Sequence, residues 1–553
     1  MNAPALLACL ATALLLAAPR AAHGDDAASL PAPAPAPRKP ASAPALRKPS
    51  SPPGPAREKQ KPALAKRETT PEKKKTSPIE LVYAEDEGFV LRSRGQKIEL
   101  KLGASAQLDG RFYEGSSVAP HSFDMRRGRL DLSAKLFDRL QVRIQGAFED
   151  NPYLRNAFAD VRLWDFLHLR GGQMKVPFSA TWLAFDNQVD FLERGTAEPV
   201  YPFFDRGGMI WGTLLGQRVT YNLGVFAGTG VDLDANKGDI DNSKDIAWRL
   251  FLQPFRDTPL KWLEGLYLAG HGTWGWMSVP TRRFETRGLT AANFESLVWR
   301  WRTEQQLGTS GRNTDQIGAE IDSKTRWGAE LHYLRGPFTF SGEWAMVRYK
   351  GIRIYHDFYQ GSKRLKHDPV RNTDGSIVDV SGSIHHMSVF ASCFLTGEKK
   401  LLDNFGWKQP IPKRPLGPGA RGIGAFELLA RFSATLTGSE LFRTADKVSG
   451  YKGADFTSAG VTLDGPTPGA GATVTPAVLE GASKLYELTG GVNWTMSYHL
   501  RVQLDYVYIW APGYAEGKNG IISAGNSELS DPTIKNKVVK SEHMLGFRLI
   551  MRI

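Results

Sequence analysis

The chain has few cysteines, and beyond its N-terminus it has no long apolar run. Cys9 and Cys393 are the two cysteines among 553 residues. Cys9 lies in a segment that resembles an export signal, so Cys393 alone remains after cleavage, which excludes an intramolecular disulfide and a cysteine-based zinc site. After residue 24 no stretch offers 18 or more uncharged apolar residues. Helical membrane spans are therefore not expected.

The first 24 residues are typical of a signal peptide. An apolar run from Ala5 to Ala18 is followed by Pro19, Arg20 and the small-residue segment 21–24. The length of the run and the small residues after it predict cleavage near residue 24, although no Lys or Arg precedes the run. Export of the mature chain from the cytoplasm follows.

Residues 25–79 have the composition of an extended, disordered segment. Residues 1–79 hold 15 of the 34 prolines and carry a net charge of +8 out of the total of +13. Such a chain cannot bury a core. We expect a Pro/Lys-rich periplasmic extension that contacts an anionic envelope polymer such as peptidoglycan, or acts only as a solvated spacer. In an exported protein, nucleic acid is not an expected partner.

The remainder, residues 80–553, shows a repeated alternation of apolar and charged residues. In the stretch SFDMRRGRLDLSAKLF one face carries Leu130, Leu132, Ala134 and Leu136, and the other carries Arg127, Arg129, Asp131 and Lys135. A β-strand places successive side chains on opposite faces. The same pattern recurs at 98–112, 140–149, 500–508 and 545–553. One strand alone is equally compatible with a water-soluble sandwich whose charged face is solvated.

The connections favour a membrane barrel over that sandwich. Short links at 137–139, 164–166 and 497–499 alternate with long stretches rich in Gly, Asp, Asn and Thr, such as 448–483. Short turns at one rim and long loops at the other are typical of outer-membrane barrels. A lipid-facing Arg or Lys costs about 2–4 kcal/mol at mid-membrane, so the charged face must line a wet interior. The length predicts an all-β transmembrane antiparallel barrel of about 16 strands.

The chain resembles the phosphate-selective porin O/P family of Gram-negative outer membranes. The matching stretches are FDMRRGRLDLSAKLF, LRGGQMKVPFS, DFLERGTAE, LLGQRVTYNLGVFAGTG, FLTGE, GAFELLARFS and GGVNWTMSYHLRVQLDYV, in this order between residues 96 and 553. The resemblance implies a 16-stranded homotrimer in outer-membrane lipid, with an infolded third loop. It also implies passive, anion-selective diffusion of small anions such as phosphate or pyrophosphate through a pore lined by basic residues.

The resemblance also implies particular site residues. Arg126 and Arg127 match the family's arginine pair, Arg194 matches an arginine of the infolded loop, and Glu149 matches the acidic residue. Two departures argue against strict phosphate selectivity and leave anion preference intact. Ser105 stands where a first-strand arginine is expected, and residues 181–182 (Thr-Trp) stand where a loop lysine is expected.

Strand parity predicts which arginines face the interior. The set is Arg111, Arg127, Arg129, Arg143, Arg162, Arg431, Arg501, Arg548 and Arg552. About half of them are expected to pair with carboxylates such as Asp131 and Glu149 and to stabilise the wall. Arg126 has the opposite parity, which predicts a position at the rim.

No metal or cofactor site is predicted. His385 and His386 are adjacent on a predicted strand, so their side chains point to opposite faces and cannot chelate one ion together. A passive anion porin is the favoured function, and an enzyme is not expected. The alternatives are a lipase-like barrel hydrolase, and a structural tether that holds the envelope through the basic extension.

Overall fold

The computed structural model is built around a closed β-barrel. It describes residues 79–553 except 85–87, 94, 96, 115–119, 150–151, 229–241, 277–295, 298, 302–304, 311–312, 361–362, 370–374, 378, 418–419, 443–478, 482, 513–520 and 524–537. The predicted signal peptide, the extension up to residue 78 and most of the stretch 448–483 lie outside the described residues.

The barrel wall is formed by long antiparallel strands. Within the described part of the chain there are sixteen of them: β1 Ile98–Glu114, β2 Ser122–Leu136, β3 Leu140–Ala147, β4 Tyr153–Trp164, β5 Leu167–Lys175, β6 Phe204–Leu214, β7 Val219–Phe226, β8 Asp245–Leu252, β9 Leu266–Trp276, β10 Asn313–Arg335, β11 Phe338–Gln360, β12 Asp379–Phe394, β13 Ala425–Thr437, β14 Lys484–Thr495, β15 Leu500–Trp510 and β16 Ser541–Arg552.

Each wall strand pairs with the next along the chain, and the last closes on the first. The β16–β1 register runs from His543 opposite Glu114 to Arg552 opposite Ser105. Closure leaves no free edge among these strands, which is the condition for a sheet to lie in lipid. The prediction of a closed barrel of about sixteen strands is confirmed.

The two faces of the wall differ in the way that the alternation predicted. Large apolar side chains on the outer face are open, with Leu102 63% and Leu130 49% exposed, whereas Arg111 and Arg548 on the inner face are fully buried. This arrangement inverts that of a water-soluble sandwich and suits a hydrocarbon exterior.

No helix in the described ranges is long and apolar enough to cross a membrane.

One rim carries short connections, as expected. Turns at 137–139, 164–166 and 497–499 join β2 to β3, β4 to β5 and β14 to β15. Phe137 and Asp138 have positive φ angles of 53° and 56°, the geometry of a tight hairpin turn that follows the twist of its strands.

The third connection at the opposite rim, residues 176–203, folds into the barrel and is called the inner loop. It contains helix α1, Ala180–Leu183, and a 3-10 helix, Gly195–Val200. Wall residues hold its backbone: Asp505 accepts a hydrogen bond from Leu192 N at 2.7 Å, and Asn493 donates one to Asp190 O at 2.9 Å. The predicted infolded third loop is confirmed.

A second segment enters the barrel from the short-turn rim. Residues 395–424, called the rim insert, form a hairpin of Leu401–Asp403 and Gly406–Lys408. Trp407 packs in one buried cluster with Ala180 and Ala184 of the inner loop. Gly406 has φ +97°, and a Cβ there would lie 2.5 Å from Ala184 N. Long connections were expected at the other rim alone, and this expectation is wrong for the rim insert.

Shorter elements lie outside the wall. A hairpin of Ile79–Ala84 and Gly88–Ser93 pairs with the start of β1. The remaining strands are Ser296–Leu297, Trp299–Trp301, Gln305–Ser310, Lys363–Pro369, Leu416–Gly417, Ala420–Arg421, Leu479–Gly481, Ile521–Ser523 and Val538–Val539, and a 3-10 helix spans Ser439–Phe442.

Candidate functional site

A β-bulge turns both residues of the arginine pair inward. Gln107 of β1 faces Arg127 of β2, but the next residue, Leu108, faces Met125, so Arg126 is an extra residue without a partner position in the register. A bulge of this kind re-aims one side chain. Arg126 Nε donates to Glu193 of the inner loop at 3.0 Å, and Arg127 Nη2 donates to the same carboxylate at 3.3 Å. The predicted rim position of Arg126 is wrong, because strand parity holds only along an unbroken strand and β2 is interrupted by the bulge.

Glu193 gathers four guanidinium groups, which we call the Glu193 cluster. Besides Arg126 and Arg127, its carboxylate lies 2.7 Å from Arg111 Nη2 and 3.3 Å from Arg548 Nη2. Arg111 and Arg548 have no exposed side-chain surface, whereas Glu193 keeps 16%. A carboxylate that is shared by several guanidinium groups fixes both the loop and the wall by charge-assisted hydrogen bonds.

Asp186 is the centre of a second group, the Asp186 cluster. Its Oδ1 lies 2.8 Å from Arg194 Nη2, and its Oδ2 lies 3.0 Å from Arg155 Nη2. Arg127 Nε and Arg129 Nη2 approach Oδ2 at 3.7 Å. The inner loop therefore brings one carboxylate into contact with four arginines from three separate segments of the chain.

The other predicted residues are mostly paired. Arg129 bonds to Glu149, Arg143 Nη2 bonds to Asp131 at 2.6 Å, and Arg431 Nη2 bonds to Glu487 at 2.5 Å. Pairing of this kind was expected for about half of the arginines.

Arg194 and Arg162 occupy positions that differ from the predicted ones. Arg194 donates to the carbonyl oxygens of Thr181 and Ala184 at 3.0 and 2.9 Å, so it also shapes the turn of the inner loop. Arg162 pairs with Asp165 in the adjoining turn, and its side chain is half exposed. The expectation that Arg162 lines the interior is wrong, because β4 ends at the rim at this point.

A cavity of about 200 Å³ lies between β1 to β5 and the inner loop. Its charged lining side chains are predominantly basic: Lys101, Arg127, Arg129, Arg143, Arg155, Lys175 and Arg552, against Asp131 and Asp186. Arg127, Arg129 and Arg143 were predicted pore residues and do line it. Arg111, Arg126, Arg194 and Glu149 are not among the lining residues.

Two basic residues of this cavity, Lys175 and Arg155, lie outside the alternating stretches of the sequence and were not predicted. Lys175 Nζ donates to Trp182 O and Ala184 O at 2.7 Å each, and lies 4.9 Å from the centre of the Trp182 ring. It brings a lysine amino group close to residues 181–182, where a loop lysine was expected and is absent. Arg155 lies within β4, in a stretch where no alternation was noted. Lys175 lies in the matching stretch LRGGQMKVPFS, at the end of β5 where the inner loop begins, and this position was the available signal.

One buried group has the composition of a metal site. Glu330, His332 and Glu343 place ligand atoms within 4.8 Å of one another. Protein groups occupy these atoms: Ala180 N and His332 Nε2 lie 2.9 Å from Glu330 Oε2, and Thr181 N donates to Glu343 at 3.1 Å. Arg249 forms a buried ion pair with Glu330. The arrangement is a hydrogen-bonded anchor for the start of α1, and its donors leave little coordination capacity for a cation.

The two central carboxylates of the inner loop are held ionised. Burial alone raises the pKa of Glu193 and of Asp186, but the surrounding guanidinium groups outweigh it and hold both pKa values well below their usual range. A carboxylate whose pKa is depressed in the folded state stabilises that state above its ordinary pKa of about 4. That stabilisation is lost only as the pH falls through the lower folded value.

We therefore expect the difference in conductance between the wild type and Glu193→Gln to stay constant between pH 7 and pH 4.5, and to diminish only at pH values well below 4, as Glu193 of the wild type is protonated. Planar-bilayer recordings at stepped pH check this. The Glu193→Gln variant, which has no charge to titrate at the first cluster, is expected to show a smaller change at low pH. Loss of half of that difference between pH 7 and 4.5 would contradict the low pKa of Glu193.

A barrel closed on itself, apolar outside and charged within, is the architecture of an outer-membrane porin of Gram-negative bacteria. The model of the phosphate-selective porin O and P family matches residues 97–510, from the start of β1 to the end of β15. The chain belongs to that family, and it is a porin rather than an enzyme.

Solved structures of other outer-membrane proteins are similar to this chain at low sequence identity. In-vitro folded OmpT of Vibrio cholerae is 10% identical with a TM-score of 0.41, and the match covers 83% of this chain and 98% of OmpT. The channel DcaP of Acinetobacter baumannii is 8% identical with a TM-score of 0.39, covering 84% and 99%. Salmonella typhi OmpF in complex with daunomycin is 8% identical with a TM-score of 0.37, covering 86% and 100%. No curated protein matches significantly.

Proposed function

We propose that this porin gives passive, anion-selective diffusion of small phosphate-like anions through an arginine-lined pore that passes the cavity beneath the inner loop. The observation that supports the proposal is the charge of the cavity, whose lining holds seven basic and two acidic side chains. An excess of fixed positive charge in a narrow, partly desolvated space raises the local concentration of anions and repels cations.

Guanidinium groups suit this task chemically. They are planar, always charged, and donate hydrogen bonds in pairs, so they replace part of the hydration shell of an oxyanion as it enters. Each of the cavity arginines 127, 129 and 143 is already shared with a carboxylate. That sharing weakens the hold on a passing anion and allows its release.

Phosphate-like solutes are proposed on the strength of the family. Ser105 lines the cavity at the position where an arginine was expected. Lys175 supplies an ammonium group near Trp182, which partly offsets the missing loop lysine. We therefore expect anion preference with moderate discrimination for phosphate over chloride.

Bilayer recording tests the anion selectivity of the pore and, separately, its preference for phosphate. Under a KCl gradient, the reversal potential is expected to take the sign set by chloride, and millimolar inorganic phosphate is expected to reduce the chloride current. Cation preference would reject the anion pore. An anion-selective channel that phosphate does not block would retain the pore and reject phosphate as its solute.

Assembly and the extension are further proposals. The family supports a homotrimer in outer-membrane lipid, and native mass spectrometry of the detergent-solubilised protein would give its mass. The charge of residues 25–79 supports contact with peptidoglycan, and co-sedimentation of the full chain with peptidoglycan sacculi, compared with a chain lacking 25–78, would test it. Cleavage of a signal peptide near residue 24 is checked by the N-terminal sequence of the mature protein.

A further inference from the structure

We propose that Asp186 is a tethered counter-ion that occupies the oxyanion position of the cavity, so that it sets how tightly a permeating phosphate or carboxylate is held. This inference rests on the proposed anion pore and adds a residue that decides its affinity. The solute class is a small oxyanion that presents at least two oxygens to the guanidinium groups.

The contacts of Asp186 are those that a bound oxyanion would make. Arg194 meets one carboxylate oxygen at 2.8 Å, and Arg155 meets the other at 3.0 Å. Two further guanidinium groups stand 3.7 Å away. Convergence of guanidinium groups on the two oxygens of one carboxylate is the recognition geometry for carboxylate and phosphate.

Asp186 also faces the solute path. Its side chain lines the cavity together with Arg155 and Lys175, and it keeps 10% exposure. Its backbone is fixed independently of the carboxylate, because Gln107 donates to Asp186 O at 2.9 Å. A change confined to the carboxylate therefore leaves the loop attached at this point.

Removal of the Asp186 charge would expose cations that have no other acidic partner. Arg127 and Arg129 are shared with Glu193 and Glu149. In the part of the chain that the structure describes, Asp186 is the carboxylate paired with Arg155. The guanidinium of Arg155 also donates to the hydroxyl of Tyr153 at 3.0 Å and lies 4.5 Å from the centre of the Phe204 ring, and neither contact is acidic. Lys175 donates only to carbonyl oxygens there. Arg155 and Lys175 would then be available to a solute.

Asp131 provides a matched control within the same cavity. It lines the cavity but pairs with a single arginine, Arg143, at 2.6 Å, and accepts a hydrogen bond from Gln145 at 3.0 Å. Asp131→Asn removes the same charge from the same space without freeing a convergent site. If only the net charge of the cavity mattered, the two substitutions would change the half-blocking phosphate concentration equally. If Asp186 is a tethered counter-ion, its substitution changes that concentration more than the substitution of Asp131 does.

The test is single-channel recording of the wild type, Asp186→Asn and Asp131→Asn, with inorganic phosphate and, separately, acetate as blockers of the chloride current. Both variants are expected to shift the reversal potential further toward anions. Only Asp186→Asn is expected to lower the half-blocking phosphate concentration, by about tenfold, and the double variant Asp186→Asn/Arg155→Gln is expected to return it toward the wild-type value. Asp186→Ser is recorded in parallel so that the result does not depend on the folding of one variant.

Equal blocking concentrations in the Asp186 and Asp131 variants, or weaker block in Asp186→Asn, would overturn the inference while leaving an anion-selective wild type intact. Cation selectivity of the wild type would instead defeat the proposed function itself. Heat-modifiable mobility of each variant on detergent gels confirms that its barrel is folded before recording.

Discussion

Replacement of Glu193 with glutamine is expected to lower the free energy of unfolding of the barrel by about 3–5 kcal/mol, the usual cost of breaking a buried ion pair by removing one partner. Its carboxylate bonds to four guanidinium groups, and Arg111 and Arg548 among them have no exposed side-chain surface. Glutamine keeps the shape and one acceptor oxygen, but it leaves the single carboxylate of Asp109 as the remaining buried counter-charge for both Arg111 and Arg548. The denaturant midpoint of the detergent-solubilised protein at pH 7 measures the effect.

An exposed ion pair of the same chemical type is the control for Glu193. Asp165 pairs with Arg162 at the rim, with side chains 74% and 51% exposed. Asp165→Asn is expected to change the stability by less than about 1 kcal/mol, as is usual for surface pairs. Similar losses in Glu193→Gln and Asp165→Asn would mean that the Glu193 cluster does not fix the inner loop. Increased protease cleavage within residues 176–203 would accompany a genuine release of the loop.

The double variant Arg249→Met/Glu330→Gln is expected to be more stable than the single variant Arg249→Met. Arg249 and Glu330 are fully buried, form an ion pair, and stand beneath the first turn of α1. Arg249→Met alone leaves the buried carboxylate of Glu330 without this counter-charge and is expected to lower the free energy of unfolding by about 3–5 kcal/mol. Glutamine at 330 removes that charge and still accepts the hydrogen bond from Ala180 N. The pairwise coupling is obtained from the unfolding free energies of the two singles and the double.

The same variants report on the inner loop through conduction. Because Glu330 holds Ala180 N at 2.9 Å, Arg249→Met is expected to increase current noise and mean conductance as the start of α1 loosens. The double variant is expected to show current noise and mean conductance close to those of the wild type. If the two single losses simply add in the double variant, Arg249 and Glu330 do not act as a pair.

The alternation in β2 shows how far local reasoning reaches in this chain. Leu130 and Leu132 are on the exposed outer face, and Arg127 and Arg129 are buried on the inner face, as the period of two predicted. The same rule fails at Arg126, where one extra residue in β2 reverses the parity. A bulge is a property of the pairing between β1 and β2, and the sequence of β2 alone does not specify it.

The candidate site was predicted only in part. The tripeptide Leu192-Glu193-Arg194 was recognised, but the role was assigned to its arginine. The structure makes Glu193 the centre of four guanidinium groups, while Arg194 largely shapes the loop. Glu193 accepts hydrogen bonds from Arg126, 67 positions upstream, and from Arg548, 355 positions downstream. A local sequence pattern does not predict contacts between residues so far apart in the chain.

The sequence by itself determined the strand period, the sign of each face, the short-turn rim and the family, because all of these follow from local alternation, turn chemistry and motif order. Only the tertiary structure decided which charged side chains form ion pairs with each other. The return of the inner loop across the barrel and the entry of the rim insert against α1 place Asp186, Glu193 and Trp407 among residues far away in the chain. Ion pairing depends on distances of a few ångströms between such segments, and the closed wall fixes those distances only after all of its strands have paired.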